Sequence, residues 1–468
     1  MLQIKSVSDK NNNTLLDNNA CKIARLLKDP RFDGLFYMGV KTTGIYCRPI
    51  CPATPKEENI EYFSYASQAI KAGYRPCLRC HPDSAPGVSV TKTKNDEIYH
   101  QCIKLFEEEH LEKLTLQQVC ETLGISTRHL RNIFIERTGI SPKAYIMLRR
   151  TLFAKKLLHQ TSLSITDIAF ASGFNSIRRF NDHFKNSLGL HPSSIRNKKH
   201  KKHKKHKIIL KLFFRPPYDW KQIREHYKKR LIKGVEWIDK NSYGRTFSYN
   251  DSNGEFTAEF NEKNHCFNVN ILLEDISVLR KTVWNIRRIL DLDTDIETIK
   301  NYYPDGLNKT DISTIARIPG CWSFLEAGIR AILEYSEPKN IDKTLTDFIY
   351  ALGESSDNDR VYFPSSARIL STNLKHLHIK DTLQAEIIEY SKACKNMSTT
   401  GTPSELYDNK KIKNEIIAVA EIYGLGNPDI CLKEVKRLPH SRNITSTFFS
   451  PYRSYYYHQL YSLAIFQE

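Results

Sequence analysis

The 468 residues exceed what a single core organises, and a hydrophobic share of 40% gives each of about three domains a core of its own. Lysine and arginine number 70 against 52 aspartate and glutamate, and the net charge of +18 favours polyanionic partners, nucleic acid first. Charge alone does not separate a nucleic-acid binder from an unrelated basic protein, so the motifs decide. No apolar run reaches the roughly eighteen residues of a membrane span. The opening stretch MLQIKSVSDKNNNTLLDNN lacks the apolar centre of a signal peptide. A cytoplasmic location is therefore expected, where 11 cysteines do not read as a disulfide framework.

Residues 1–28 are polar, with one short helical patch. Residues 29–83 carry Pro30, Pro49, Pro52, Pro55, Pro76 and Pro82 and little apolar periodicity. That segment is expected to be irregular and to need a metal as its staple. Ser84-Ala85-Pro86-Gly87 reads as a linker, and residues 96–196 are helical by pattern. The tract NKKHKKHKKHK, residues 197–207, holds seven lysines and three histidines without one apolar residue. It reads as a solvated linker that slides on phosphates, ahead of a metal-binding histidine tract. Beyond it, IILKLFFR (208–215) reads as a strand ended by Pro216-Pro217. Residues 245–249 and 255–260 read as strands turning at Asn253-Gly254, residues 266–272 alternate as another strand, and the chain from 276 onward is mostly helical.

Seven cysteines, Cys21, Cys102, Cys120, Cys266, Cys321, Cys394 and Cys431, stand alone and read as small buried hydrophobes. The other four form two pairs, Cys47-x3-Cys51 and Cys77-x2-Cys80, with 25 residues between them. Such pairs match tetrahedral Zn2+ ligation by four thiolates. Their flanks, DPRFDGLFYMGVKTTGIYCRPIC and AGYRPCLRCHP, resemble the N-terminal domain of the Ada family of DNA repair methyltransferases over residues 29–83. The resemblance implies that Cys47 takes a methyl group from a methylated DNA phosphate, with Cys51, Cys77 and Cys80 as the remaining zinc ligands. Zinc keeps a thiol deprotonated at neutral pH, so the nucleophile is ready. Four thiolates around Zn2+ carry about 2−, which repels the DNA backbone, and methylating one thiolate removes a negative charge.

LQQVCETLGISTRHLRNIF (116–134) places Leu116, Val119, Leu123, Ile125, Leu130 and Phe134 on one face, with Gly124 as the turn and Ser126 as the cap of a second helix. Arg128, His129, Arg131 and Asn132 then project outward. ITDIAFASGFNSIRRFNDHF (165–184) repeats the pattern, with Gly173 as the turn, Asn175 or Ser176 as the cap, and Ile177, Arg178, Arg179 and Asn181 as the DNA-facing set. Two copies 49 residues apart resemble the AraC family of activators over about 96–196. The resemblance implies two recognition helices in adjacent major-groove segments of double-stranded DNA, and RNA polymerase as a further partner.

Four stretches after the basic tract, LFFRPPYDW, NSYGRTFSY, RIPGCWSFLEAGIRAIL and SPYRSYYYHQLY, resemble the glycosylase AlkA over 208–468. Where that family carries a glycine-rich hairpin that grips phosphate, this chain has Lys410-Lys411-Ile412-Lys413. The family's catalytic aspartate aligns with Val435, beside Glu434. Glu415 replaces one base-holding aromatic residue, Tyr452 keeps another, and Glu334 lies in the segment of the apolar wedge.

The expected fold class is thus multi-domain α+β. It comprises a zinc domain (1–90), an all-helical double helix-turn-helix domain (96–196), a basic linker (197–207), an AlkA-like α+β subdomain (208–312) and a mostly helical, degenerate helix-hairpin-helix-type domain (313–468). Three functions compete: a methyl-accepting damage sensor that activates transcription, a regulator that also excises 3-methyladenine-type bases, and a plain DNA-binding regulator with structural zinc.

Overall fold

The computed structural model describes residues 17–77, 80, 82, 94–107, 115–196, 206–249, 252–296, 299, 317–336, 341–356, 359–377, 379–400, 406, 412–425, 454, 455 and 458. Its contacts group the chain into two units. One comprises Met1–Pro217, Asn261–Trp284 and Leu292–Asp295, the other Tyr218–Phe260, Asn285–Asp291 and Ile296–Glu468.

The first unit opens with α1 (Asn18–Leu26), started by the Asp17 carboxylate, which accepts the Ala20 N–H at 2.7 Å. Instead of irregular chain, residues 37–76 form a four-stranded sheet: β1 (Tyr37–Val40), β2 (Ile45–Cys47), β3 (Ile60–Phe63) and β4 (Arg75–Pro76), in the order β3-β1-β2-β4. β1 runs antiparallel to β2 and β3, while β4 lies parallel to β2 with Tyr46 opposite Pro76. Strands of two to four residues are too short to print an alternating pattern, which is why the sequence reads as loop. Helix α2 (Ala66–Lys71) covers one face, where its Ala69 packs with Tyr46, Phe63 and Tyr74. Gly39 is required there, since a Cβ would stand 2.9 Å from the rings of Phe63 and Tyr74.

The helical domain follows with α3 (Lys94–Glu107), α4 (Leu116–Thr122), α5 (Thr127–Thr138), α6 (Pro142–Gln160), α7 (Ile165–Ala171), α8 (Ile177–Leu188) and α9 (Pro192–Ile195). Both expected turns are present, with Gly124 at φ +62° and Gly173 at φ +79°. Ser126 caps α5 by accepting the His129 N–H at 3.1 Å. Of the two candidate caps for α8, Ser176 is the one used, accepting from Arg179 N at 3.4 Å. Val119, Leu130 and Phe134 are buried in one core with Cys102 and Cys120, and Leu116, Leu123 and Ile125 pack on its edge.

β5 (His206–Phe213) takes in the last two residues of the basic tract, which the sequence reads as linker, and ends two residues short of the expected Arg215; it pairs antiparallel with β9 (Cys266–Leu273), from His206 opposite Leu273 to Phe213 opposite Cys266. The second unit contains α10 (Trp220–Lys229) and the antiparallel β6 (Glu236–Ile238), β7 (Ser242–Tyr249) and β8 (Ser252–Asn261). The hairpin turn expected at Asn253-Gly254 lies elsewhere. Tyr249 pairs with Ser252, and Asn253 and Gly254 sit inside β8 opposite Ser248 and Phe247. Phe247 and Phe256, diagonal neighbours on one face of the pair, bury together, and register follows that burial rather than the Asn-Gly signal. Helix α11 (Leu279–Ile289) follows β9, and the C-terminal helices are α12 (Phe324–Ser336), α13 (Ile341–Leu352), α14 (Ser366–Ser371), α15 (Asp381–Thr400) and α16 (Asn414–Leu425). Their core includes Phe324, Ile329, Phe348, Ile387, Tyr390 and Ile417. Arg245 is fully buried and pairs with Glu236 at 3.0 Å and Glu326 at 2.6 Å, which keeps its charge compensated.

Candidate metal centre

The small sheet assembles the centre. Cys47 ends β2, Cys77 follows β4, and the Cys77 N–H donates to Tyr46 O at 3.0 Å. The parallel pairing of β2 with β4 therefore brings the two cysteine pairs together across 25 residues of intervening chain. The thiols of Cys47, Cys51, Cys77 and Cys80 lie within 4.8 Å of one another, all buried. Zn–S bonds of about 2.3 Å place tetrahedral sulfurs roughly 3.8 Å apart, so the donor set fits zinc in both chemistry and spacing. Crowding divides the thiols. Hydrogen bonding with Cys47, then with Cys80 and the Ala53 N–H, holds Cys51 at about 7 against the opposing effect of Cys77, whereas hydrogen bonds with Cys51 and Cys77 push the Cys47 thiol up. Only a cation among them lets all four ionise.

Backbone donors separate the four sulfurs further. The Arg48 N–H donates to Cys80 Sγ at 3.4 Å, the Ala53 N–H faces Cys51, and the Cys80 N–H faces Cys77. Among the described residues no backbone N–H is directed at the sulfur of Cys47.

Three charged neighbours are not among the site residues expected from the sequence. Arg48 is 1% exposed, pairs with Asp33 through Nε and Nη2, and donates from Nη1 to Cys80 O at 3.1 Å. Asp33 is 2% exposed. Lys155, on α6 of the helical domain and fully buried, donates from Nζ to Cys77 O at 3.2 Å. Asp33 and Arg48 stand within the quoted motifs, DPRFDG and CRP, where buried charge beside a metal ligand is the clue. Lys155 lies 78 positions from Cys77 and only the fold joins them.

The expected DNA-facing side chains are displayed as a surface. Arg128, His129, Arg131 and Asn132 on α5 and Arg178 and Arg179 on α8 are exposed, and Asn181 is half-buried. Of the isolated cysteines, Cys21, Cys102, Cys120 and Cys266 are buried, Cys321 and Cys394 partly so, and Cys431 lies outside the described residues. Glu434, Val435, Lys410, Lys411 and Tyr452 also lie outside them. Glu334 forms an ion pair with Arg230 at 2.7 Å. Among the described residues no helix is long and apolar enough to cross a membrane.

The family described as the metal binding domain of Ada matches residues 20–83, a helix-turn-helix domain family matches 119–198, and the AlkA N-terminal domain family matches 209–323. The bifunctional transcriptional activator/DNA repair enzyme AdaA of Bacillus subtilis is 33% identical over 169 residues, covering 36% of this chain and 77% of that relative. The chain belongs to the Ada family. Ada of Escherichia coli, also a bifunctional transcriptional activator/DNA repair enzyme, is 33% identical over 173 residues, 37% of this chain and 47% of its own length. A probable bifunctional transcriptional activator/DNA repair enzyme AlkA of Mycobacterium tuberculosis is 28% identical over 386 residues, 79% of this chain and 77% of its own. This Ada-family chain thus joins a zinc domain and an AraC-type helix-turn-helix domain to an AlkA-like region, and zinc is its cofactor.

Zinc and Arg48 make two demands that substitution separates. Cys51→Ser, Cys77→Ser and Cys80→Ser should each lose the metal, read as zinc bound per chain. Asp33→Asn should leave a buried guanidinium uncompensated and cost about 3–5 kcal/mol of zinc-domain stability, read by denaturant unfolding of the holo-protein. Wild-type zinc content in a serine variant contradicts the four-thiolate site.

Proposed function

We propose that this protein senses DNA alkylation through Cys47 and then activates transcription. The observation that carries the reading is the unequal set of N–H donors around the four thiols. An N–H held against a thiolate stabilises the anion and makes it a weaker nucleophile. Cys80, Cys51 and Cys77 receive such a donor and Cys47 receives none among the described residues. The most nucleophilic sulfur is then Cys47, the residue to which the family resemblance gives that role. Bound zinc supplies a deprotonated thiol at neutral pH.

The substrate is a methyl phosphotriester of the DNA backbone. The Cys47 sulfur attacks the methyl carbon in line, the S–C bond forms, and the methyl C–O bond breaks with its electron pair passing to oxygen. The products are an ordinary phosphate diester and a thioether at Cys47. No step returns the thiol, so each molecule turns over once. The four thiolates and the metal change from about 2− to about 1−. At separations of roughly 4–10 Å and an effective dielectric near 20, one charge changes the interaction with a phosphate by about 2–4 kcal/mol. Methylation is thereby a switch that raises affinity for DNA without a large movement.

The helix-turn-helix residues Arg128, His129, Arg131, Asn132, Arg178, Arg179 and Asn181 serve as the DNA-reading set, arginine for guanine edges and asparagine for adenine. RNA polymerase is the partner that an activator needs. The names of the Bacillus and Escherichia relatives, transcriptional activator and DNA repair enzyme together, support this pairing of roles.

The AlkA-like region serves as a retained module without base excision. Cleaving the bond from sugar to alkylated base builds positive charge on the sugar, and a preorganised carboxylate there is typically worth roughly 10²-fold or more. Val435 supplies none, and Glu434 stands one position away.

Two measurements test these assignments. After incubation with methylphosphotriester DNA the intact protein should gain about 14 Da, one methyl for one proton, mapped to Cys47. A fully zinc-loaded protein without that gain is the plain regulator with structural zinc. On methylated duplex the full-length protein should release no 3-methyladenine or 7-methylguanine. Multiple turnovers abolished by Glu434→Gln would instead establish a bifunctional glycosylase.

A further inference from the structure

Residues 206–217 fall in the same unit as the zinc domain. The Arg48 guanidinium lies over the Phe213 ring, 4.4 Å from its centroid. Two residues on, Arg215 is 1% exposed and donates from Nε and Nη2 to the main-chain oxygen of Asp33 at 3.2 and 2.8 Å. Its Nη1 faces the carboxylate of Asp295 at 3.2 Å. The Asp33 side chain pairs with Arg48, and Arg48 binds Cys80 twice, through Nη1 to the carbonyl and through its N–H to the sulfur. A continuous buried chain of polar groups therefore runs from Asp295 through Arg215, Asp33 and Arg48 to the fourth thiol.

Two arginines and two carboxylates are costly to desolvate, and they persist only where each charge is compensated. Strand β5 does not need them. Its pairing with β9 ends at Phe213 opposite Cys266, and the last backbone bond beside it, Phe214 N–H to His265 O at 3.0 Å, is made before Arg215 is reached. Phe213 and Arg215 also belong to the segment that matches the AlkA N-terminal domain, to which the sequence assigns no part in methyl acceptance.

We propose that Phe213 and Arg215 are positioning residues of the zinc centre: by holding the Arg48–Asp33 pair they fix the Cys80 side of the thiol cluster. The segment after the basic tract is then a built-in partner of the methyl-acceptor domain rather than an appended one. Groups that orient metal ligands typically change metal affinity by about 10–100-fold when removed. The proposal rests on the four-thiolate zinc centre and not on Cys47 as acceptor.

The test uses full-length, zinc-loaded protein and the rate of zinc release into a chromogenic chelator. Arg215→Met and Phe213→Ala should each speed release about tenfold. Both should also slow methyl transfer at saturating DNA while leaving the half-saturating DNA concentration unchanged. Leu210→Ala, which removes a buried side chain of β5 paired with Val269, should weaken the sheet as a large-to-small core change does and should release zinc at the wild-type rate. If Arg215→Met does not fold, Phe213→Ala decides, since that side chain is only half-buried. Wild-type release from both variants, or equal acceleration by Leu210→Ala, overturns the proposal. Faster release in a protein that accepts no methyl group leaves it standing and removes only the acceptor assignment.

Discussion

Four thiolates in a space a few ångströms wide repel one another, and this mutual repulsion governs the zinc domain. A divalent cation relieves it only if the two cysteine pairs arrive together. The sheet provides that arrival: β2 and β4 run side by side, so the last residue of one strand and the first residue after the other become neighbours. Strands of three and two residues have little stability of their own. Metal and sheet are thus mutually dependent, and the net negative charge left over after zinc is bound is the quantity that methylation would change under the proposed function.

Around that charge the protein places compensated cations. Arg48 is neutralised by Asp33 and cannot reach a phosphate while it is so held. Lys155 brings an ammonium from the helical domain to the carbonyl of Cys77. A second tie joins the two domains, the Ser67 hydroxyl donating to Thr138 O at 2.9 Å near the end of α5. The zinc domain and the helical domain are therefore joined by buried hydrogen bonds at two places.

Much of this was legible because it is local. The cysteine spacing, the turns at Gly124 and Gly173 and the serine caps each depend on a few adjacent residues, and the structure has them where the sequence puts them. The small sheet was not legible, since its strands are shorter than one readable period. Asn253-Gly254 misled because register is set by what the facing strand buries, here Phe247 and Phe256. The polar groups that finish the centre lie 78 and 182 positions from their partners, in Lys155 with Cys77 and Arg215 with Asp33. No window of sequence holds both ends of such a contact.

Under the proposed function, removing one negative charge from the thiol cluster is what tightens the grip on DNA. The direct measurement is promoter affinity of the Cys47-methylated and unmethylated proteins across a series of salt concentrations. At low salt the methylated form should bind at least tenfold more tightly, since about 2–4 kcal/mol of phosphate repulsion is lost, and the advantage should shrink as salt screens the cluster. Equal affinities at low salt, or an advantage that does not change with salt, would contradict it.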